Sequence, residues 1–161
     1  MVLNDQISGA RDVTKTNTSN THTFRNWELG FLGYMGNGVP HFYRVSTRKN
    51  TFDSEFDVTD VKLLPQVDIV YGYVGMNGIA VDAFVINARR KGVLVVRSSR
   101  VGNEMVMRSI VNRDDEQGFI ASDTLSPQKA RILAMLALAK TSDLGQIQKM
   151  FYDYFARYCW S

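Results

Sequence analysis

The stretch IAVDAFVINARRKGVLVV, residues 79–96, contains both kinds of element on which the predicted fold depends. Its first part has apolar side chains at helical spacing, and Gly92 after Lys91 is typical of the end of a helix. Its second part, residues 93–96, is a continuous apolar run, which is typical of a parallel strand covered on both faces. Another buried-strand run, residues 67–71, precedes the helix, so this part of the chain predicts a βαβ unit with a right-handed crossover.

Downstream of this unit the sequence predicts one short strand and two helices. Residues 118–121 form the short apolar run, and Ser126 with Pro127 provides an N-cap and a first-turn proline. The helix that follows is apolar nearly all round to residue 140, so we expect it to be buried. A last helix begins near Ser142, and its apolar face consists of Leu144, Ile147, Phe151, Tyr154, Phe155 and Tyr158. The fold class that follows is α/β, a small and mainly parallel sheet flanked by helices.

The first part of the chain is different in character, because glycine and polar residues divide it into short segments. Two apolar arms, residues 31–35 and 39–45, flank Gly36-Asn37-Gly38, which predicts a β-hairpin whose second arm, with Pro40, lies at a sheet edge. Residues 8–20 are polar and predict a loop. Met1 to Leu3 resemble the end of a buried strand.

We therefore predict three regions. Residues 1–45 are an incomplete domain with a loop and a hairpin, residues 46–66 are a linker across the surface, and residues 67–161 are the α/β domain. We expect apolar surface to be uncovered around residues 1–3 and 31–35, and exposed apolar patches of this kind favour self-association.

Composition restricts the classes of function. The chain has 161 residues, 45% hydrophobic and 22% charged, with a net charge of +3, as expected of one ordinary globular domain. The densest basic cluster is Arg89, Arg90 and Lys91 at the predicted end of a helix, where cations complement the helix dipole. Nucleic acid is therefore not an expected partner, and neither is a membrane, since no apolar stretch reaches the length of a membrane span.

Metal sites and targeting signals also have little support in the sequence. Cys159 is the one cysteine, so an intrachain disulfide and a thiolate-ligated metal site are both excluded. His22 and His41 are the two histidines, and their spacing does not indicate a metal site. No metal or other cofactor is therefore expected. Asn4 and Asp5 interrupt the apolar start, so no signal peptide is predicted and the expected location is the cytoplasm.

The candidate catalytic residue from the residues alone is Lys15, in the stretch Arg11-Asp-Val-Thr-Lys-Thr-Asn17. A lysine between two threonines and near an aspartate is able to act in catalysis if burial lowers the pKa of its ammonium group. The alternative is a solvated loop lysine whose neighbours, Thr14, Thr16 and Asn17, make the hydrogen bonds of a turn. Spacing alone favours the loop.

Four blocks of sequence, taken together, resemble bacterial type II L-asparaginases and the related glutaminase-asparaginases. In chain order these blocks are RDVTKTN (11–17), LPQVDIVY (64–71), VVRSSRV (95–101) and LSPQKARIL (125–133). The resemblance extends to Tyr154 and corresponds to a C-terminal portion of a two-domain enzyme.

The resemblance implies an amidohydrolase that converts L-asparagine, and often L-glutamine, to the acid and ammonia. In the family a threonine attacks the amide carbonyl and forms an acyl-enzyme, while a second threonine, an aspartate and a lysine support it. Lys15 corresponds to that lysine and is the one catalytic residue carried over. The resemblance also implies a homo-oligomeric assembly, tetrameric in the family.

Several parts of the family pattern are absent. The nucleophilic threonine and the Thr–Asp pair lie upstream of anything in this chain, so neither Thr14 nor Thr16 corresponds to them. A direct junction between Gly92 and Val93 implies an internal deletion of one βα unit, with the loss of an asparagine that reaches a neighbouring subunit's site. Val111 stands where the family has a glutamate from the same neighbour.

The sequence therefore leaves two alternative functions. The first is asparaginase or glutaminase-type amide hydrolysis by a truncated chain that is inactive alone and whose site is completed by another chain. The second is a non-catalytic remnant or interaction module that associates with a full-length relative.

Overall fold

The computed structural model describes residues 1–101, 105–110 and 113–154. Its strands are β1 (Val2–Leu3), β2 (Gln6–Ile7), β3 (Thr14–Lys15), β4 (Phe24–Arg25), β5 (Gly33–Gly36), β6 (Val39–Phe42), β7 (Val96–Arg97) and β8 (Ile120–Ala121). Its α-helices are α1 (Gly78–Arg90), α2 (Asp114–Gln117), α3 (Pro127–Lys140) and α4 (Leu144–Asp153), and a 3-10 turn spans Thr51–Asp53. The predicted roles of Val111, Phe155, Tyr158 and Cys159 fall outside the described residues.

The chain begins with a tight hairpin that the sequence did not predict. β1 pairs antiparallel with β2 through Val2↔Ile7 and Leu3↔Gln6. Asn4 and Asp5 have φ values of 51° and 58°, the conformation of a two-residue type I′ turn, which asparagine and aspartate tolerate. The interpretation of residues 1–3 as the end of a buried strand is therefore wrong, and Val2 is more than half exposed at 54%.

The second hairpin is confirmed. β5 and β6 pair antiparallel, and the turn between them has Asn37 at φ 50° and Gly38 at φ 78°. The four-stranded sheet has the order β1-β2-β5-β6, so Pro40 lies on an edge strand as predicted. Gly33 is required here because an added Cβ would lie 2.0 Å from the carbonyl oxygen of His41.

The predicted strand at residues 67–71 is absent, so the βαβ unit from residue 67 to residue 96 does not form. Instead, α3 side chains bind this segment: Arg131 Nε donates to the Val67 carbonyl at 2.6 Å, and Gln128 Nε2 donates to the Tyr71 hydroxyl at 3.0 Å. The parallel pair is formed by β7 and β8, with Val96↔Ile120 and Arg97↔Ala121 in register. Only the end of the apolar run at residues 93–96 is therefore in a strand.

The helices confirm the α/β class predicted from the sequence. α1 begins after Asn77, whose Oδ1 accepts from Ile79 N at 3.0 Å, and Gly92 follows its end at φ 79°. α3 begins at Pro127 as predicted, although Ser126 makes no side-chain capping bond. α4 is capped by Asp143, which accepts from Gln146 N at 2.7 Å.

The core lies between β8, α3 and α4. Its buried members are Ile120, Leu125, Ala130, Leu133, Ala134, Ala137, Ile147, Met150 and Phe151. Three alanines of α3 pack in this core with Ile147 and Phe151 of α4, which have no exposed surface. The opposite face of α3 is solvated, since Ile132 is 52% exposed, so the expectation of a helix buried all round is wrong.

α1 contributes nothing to this core, since none of its residues is buried. Ile79 is 81% exposed and Phe84 is 60% exposed. The apolar stripe read from the sequence therefore exists, but in this chain it faces solvent.

Candidate functional site

Lys15 lies on β3, where it pairs with Phe24 of β4, and its side chain is exposed. Lys15, Thr16, Asn17 and Thr18 line an open concavity. Among the residues that the structure describes, no carboxylate lies within salt-bridge distance of the Lys15 ammonium group. A catalytic lysine depends on desolvation or on a close charge, and this position provides neither of them.

The turn that follows Lys15 uses its hydroxyl groups for backbone structure. Thr16 Oγ1 donates to the Thr23 carbonyl at 2.8 Å, and Thr23 Oγ1 donates to the carbonyl of Asn17. Asn17 Oδ1 accepts from Ser19 N and Asn20 N, both at 2.9 Å, as in an Asx turn. A backbone carbonyl cannot take up a proton as a general base, so these two threonines are not activated nucleophiles.

The segment that precedes Lys15 is held against the start of α3. Asp12 N and Val13 N both donate to the Gly9 carbonyl, at 3.2 Å and 3.1 Å, which closes a turn. The carbonyls of Arg11 and Val13 accept from the ammonium group of Lys129, at 2.7 Å for Val13. The structure thus brings together the first and the fourth of the sequence blocks, which are more than a hundred residues apart.

A partly buried group of charges surrounds this contact. Burial and the nearby Arg48 guanidinium lower the pKa of Arg11 to about 10, although Asp12 and Asp123 oppose that shift. Burial raises the pKa of Asp123, and Arg11 and Arg48 offset part of this effect. Asp123 also has φ 53°, a left-handed conformation that is uncommon for residues with a side chain.

The third block, residues 95–101, has a structural role. Arg97 Nε donates to Asp114 Oδ1 at 2.6 Å, its Nη2 pairs with Asp114 Oδ2, and Ser98 Oγ donates to the Leu125 carbonyl at 2.7 Å. Asp114 is fully buried, and Ser109 N donates to it at 2.8 Å. Burial alone would raise the pKa of Asp114, but the hydrogen bonds from Arg97 and Ser109 outweigh it and lower the pKa.

Arg108 extends this network into the core. Its Nη1 donates to Gln148 Oε1 at 2.7 Å and to the Phe119 carbonyl at 2.8 Å, while Nε pairs with Asp115. Gln148 in turn bonds both the N–H and the carbonyl of Ala121 on β8. Asp114, Asp115 and Gln148 were not predicted from the sequence. For the two aspartates, the available signal was the acidic run that opens α2 downstream of Arg108 and Arg113.

Residues 1–101, 105–110 and 113–154 contain neither a cluster of metal ligands nor a helix suited to span a membrane. No group of three or more histidine, cysteine, aspartate or glutamate side chains in that part of the chain could hold a metal ion. No helix there combines the length and the apolar composition needed to cross a bilayer.

Comparison with known proteins identifies the family. A sequence model of the glutaminase/asparaginase C-terminal domain matches residues 84–151. The chain is similar to L-asparaginase 2 of Bacillus subtilis (strain 168), with 42% identity over 180 residues that cover 96% of this chain and 47% of the relative.

Two further relatives agree with this result. Glutaminase-asparaginase of Pseudomonas fluorescens biotype A is 35% identical over 181 residues, covering 96% of this chain and 49% of the relative. The probable periplasmic L-asparaginase of Haemophilus influenzae is 37% identical over 180 residues, covering 96% of this chain and 51% of the relative.

The lengths of these alignments show how much of its relatives the chain covers and where it differs from them in length. The chain spans about half the length of the curated relatives it matches. The alignments are longer than the 161 residues of the chain, so they contain gaps opposite residues of the relatives, in accord with the internal deletion inferred from the sequence. The chain belongs to the bacterial type II L-asparaginase and glutaminase-asparaginase family, and it corresponds to a C-terminal portion of those proteins.

Proposed function

We propose that this chain is the C-terminal portion of an amidohydrolase that converts L-asparagine and water to L-aspartate and ammonia, and that it has no turnover alone. Relatives named as L-asparaginases and as glutaminase-asparaginases support this reaction class. The amide of L-glutamine is therefore a second candidate substrate. No step of the proposed reaction requires a metal or other cofactor.

The proposed absence of turnover by the chain alone rests on the hydrogen bonds that the hydroxyl groups near Lys15 make. Acyl transfer from an amide needs a nucleophile next to a base, together with donors for the oxyanion. The hydroxyls of Thr16 and Thr23 donate to backbone carbonyls, and Lys15 is exposed. The role of Lys15 implied by the resemblance, support of a threonine and an aspartate, thus needs partners that Thr16 and Thr23 do not provide.

The proposed regions are those predicted from the sequence: residues 1–45 as part of the catalytic domain, residues 46–66 as a linker, and residues 67–161 as the C-terminal domain. The match of the domain model at residues 84–151 supports the last of these. For the compartment, one relative is named as periplasmic.

A non-catalytic interaction module is the second candidate function. The exposed apolar face of α1 favours it, because helices in stable monomers usually bury such a face. In this alternative the chain binds a full-length relative, or a second copy of itself, and modulates activity without contributing to the chemistry.

Ammonia release separates the two candidates. The purified chain is assayed with L-asparagine and with L-glutamine, first alone and then mixed with a fragment of a relative that carries the family's nucleophilic threonine. The first proposal expects no release above background from the chain alone and measurable release from the mixture. Release that never appears with the fragment, combined with altered activity of a full-length relative, would favour the interaction module.

Turnover by the chain alone would contradict the proposal directly. It would mean that a nucleophile exists outside the residues considered above.

A further inference from the structure

Lys129 has an arrangement that the family assignment does not explain. Its side chain is partly buried, and its ammonium group donates to two backbone carbonyls, those of Arg11 and Val13, the latter at 2.7 Å. Both acceptors belong to one turn, residues 9–13, which leads directly into the strand that carries Lys15. A single side chain on α3 therefore bridges two distant parts of the sequence.

The chemistry of the contact requires an ammonium group. Lysine offers three donors on a compact charge, so it can satisfy two diverging carbonyls of a turn at once. Hydrogen bonds from a charged donor are stronger than neutral ones. Methionine, whose side chain is one atom shorter than that of lysine, fills much of the same space but leaves both carbonyls without this partner.

The hydrogen bonds of Lys129 to two backbone carbonyls, and not its surrounding charges, indicate a structural task. Burial lowers the pKa of Lys129, Asp12 opposes this shift, and Arg11 adds to it. A second contact acts in the same direction, since Arg11 Nη2 donates to Thr124 Oγ1 at 2.9 Å, just before α3. Two contacts thus hold the turn at residues 9–13 against the same end of α3.

We infer that Lys129 is a positioning residue that docks the turn at residues 9–13 onto the start of α3 and thereby orders the segment that presents Lys15. The relevance of this docking to catalysis rests on the proposed function. The docking itself is a property of the chain and can be measured without any turnover.

Hydrogen exchange of backbone amides tests the inference in the Lys129→Met variant. The reporters are Val13 N, which donates to the Gly9 carbonyl, and Thr16 N, which donates to the Thr23 carbonyl. We expect their exchange to be faster by roughly tenfold or more, because hydrogen bonds to a charged group are lost. Amides in the core-facing part of α3 and in α4 should exchange as in the unmodified chain.

The matched control is Lys140→Met on the same helix. Lys140 Nζ donates to the Glu55 carbonyl at 2.8 Å, so this variant also loses a lysine bound to a backbone carbonyl. It should leave the reporters at residues 13 and 16 unchanged.

Chemical modification of a cysteine variant tests whether loss of the ammonium group causes the faster exchange. Lys129→Cys is alkylated with 2-bromoethylamine, which restores an ammonium at nearly the length of lysine, or blocked with methyl methanethiosulfonate, which does not. The unmodified chain is treated in parallel, because Cys159 is a second thiol in this variant. Slow exchange at residues 13 and 16 should return with the first reagent and not with the second.

Two outcomes would overturn the inference. The first is unchanged exchange at Val13 and Thr16 in Lys129→Met. The second is a uniform acceleration that includes α4, which would mean that Lys129 contributes to global stability and does not position this segment. Neither outcome bears on ammonia release, so failure of this inference and failure of the proposed function remain distinguishable.

Discussion

Arg97 and Asp114 form an ion pair in which the carboxylate is completely enclosed. Arg97 Nε lies 2.6 Å from Asp114 Oδ1, and Arg97 Nη2 pairs with Asp114 Oδ2. The guanidinium therefore binds both oxygens of the carboxylate. Arg97 belongs to β7 and Asp114 to α2, so the pair joins the parallel strands to the segment that connects them. This geometry makes the pair a sensitive point for stability.

Loss of the arginine alone should destabilise the fold strongly. In Arg97→Met the Asp114 carboxylate stays buried and keeps Ser109 N as a donor. Removing one partner of a buried pair costs about 3–5 kcal/mol, since the other charge is left uncompensated. We expect a fall of that size in the free energy of unfolding, measured by urea denaturation at neutral pH.

Arg113→Met is the matched control for this prediction. Arg113 pairs with Glu116 at 3.3 Å, and both side chains are largely exposed. Surface pairs of this kind contribute about 0–1 kcal/mol. Equal losses in Arg97→Met and Arg113→Met would contradict the special role of the enclosed pair.

The contribution of Asp114 to the pH dependence of stability should change sign between the unmodified chain and Arg97→Met. The pKa of Asp114 is lowered in the folded chain, so its contribution is complete above the unfolded value of about 3.9 and is lost as the pH falls through the folded value. In Arg97→Met the main stabilising partner is gone and burial favours the protonated acid. The deficit of the variant should therefore be largest near neutral pH and should shrink toward about pH 3.

Urea midpoints of both proteins across this pH range provide the measurement. In the Asp114→Asn background, Arg97→Met should change the free energy of unfolding by an amount that depends little on pH, because the titrating group is removed. Parallel stability curves for the unmodified chain and Arg97→Met would contradict the prediction.

Local signals predicted the elements of this fold better than their pairing. Asn-Gly between apolar arms strongly favours a type I′ hairpin, so the hairpin at Asn37 and Gly38 could be predicted. The apolar run at residues 67–71 has the composition of a strand, but a strand also needs a partner edge. Hydrogen bonds from Arg131 and Gln128 occupy this segment instead, and composition does not report such long-range contacts.

The site was harder to predict than the fold for the same reason. Lys15 could be singled out from its block, but whether it is buried depends on what packs over residues 11–17. The contact between Lys129 and the turn at residues 9–13 joins two blocks that a linear reading treats separately. Asp114 is hidden in a polar stretch whose composition suggests a solvated loop, and only tertiary structure buries it.

The exposed face of α1 predicts self-association. Phe84 is 60% exposed on a helix that buries none of its residues, and apolar patches of this kind promote association. Sedimentation equilibrium should give a mass that rises with concentration, and Phe84→Glu should reduce this rise. Phe52→Glu is the control, since Phe52 is 92% exposed but lies in the region at residues 46–66. A monomer at all concentrations, or equal effects of both variants, would contradict this prediction.

The last prediction concerns Lys15, whose catalytic role is implied by resemblance and whose side chain is exposed here. In the chain alone, Lys15→Ala should change neither ammonia release, which stays at background, nor stability by more than about 0.5 kcal/mol, as expected of an exposed position. In a mixture with a fragment that carries the nucleophilic threonine, the implied role predicts that Lys15→Ala abolishes the recovered activity. Lys62→Ala, another exposed lysine, should leave that activity intact. Equal activity of the two variants in the mixture would mean that Lys15 is a loop lysine and that the supporting cation lies elsewhere, because a group that stabilises charge in acyl transfer cannot be removed without a loss of rate.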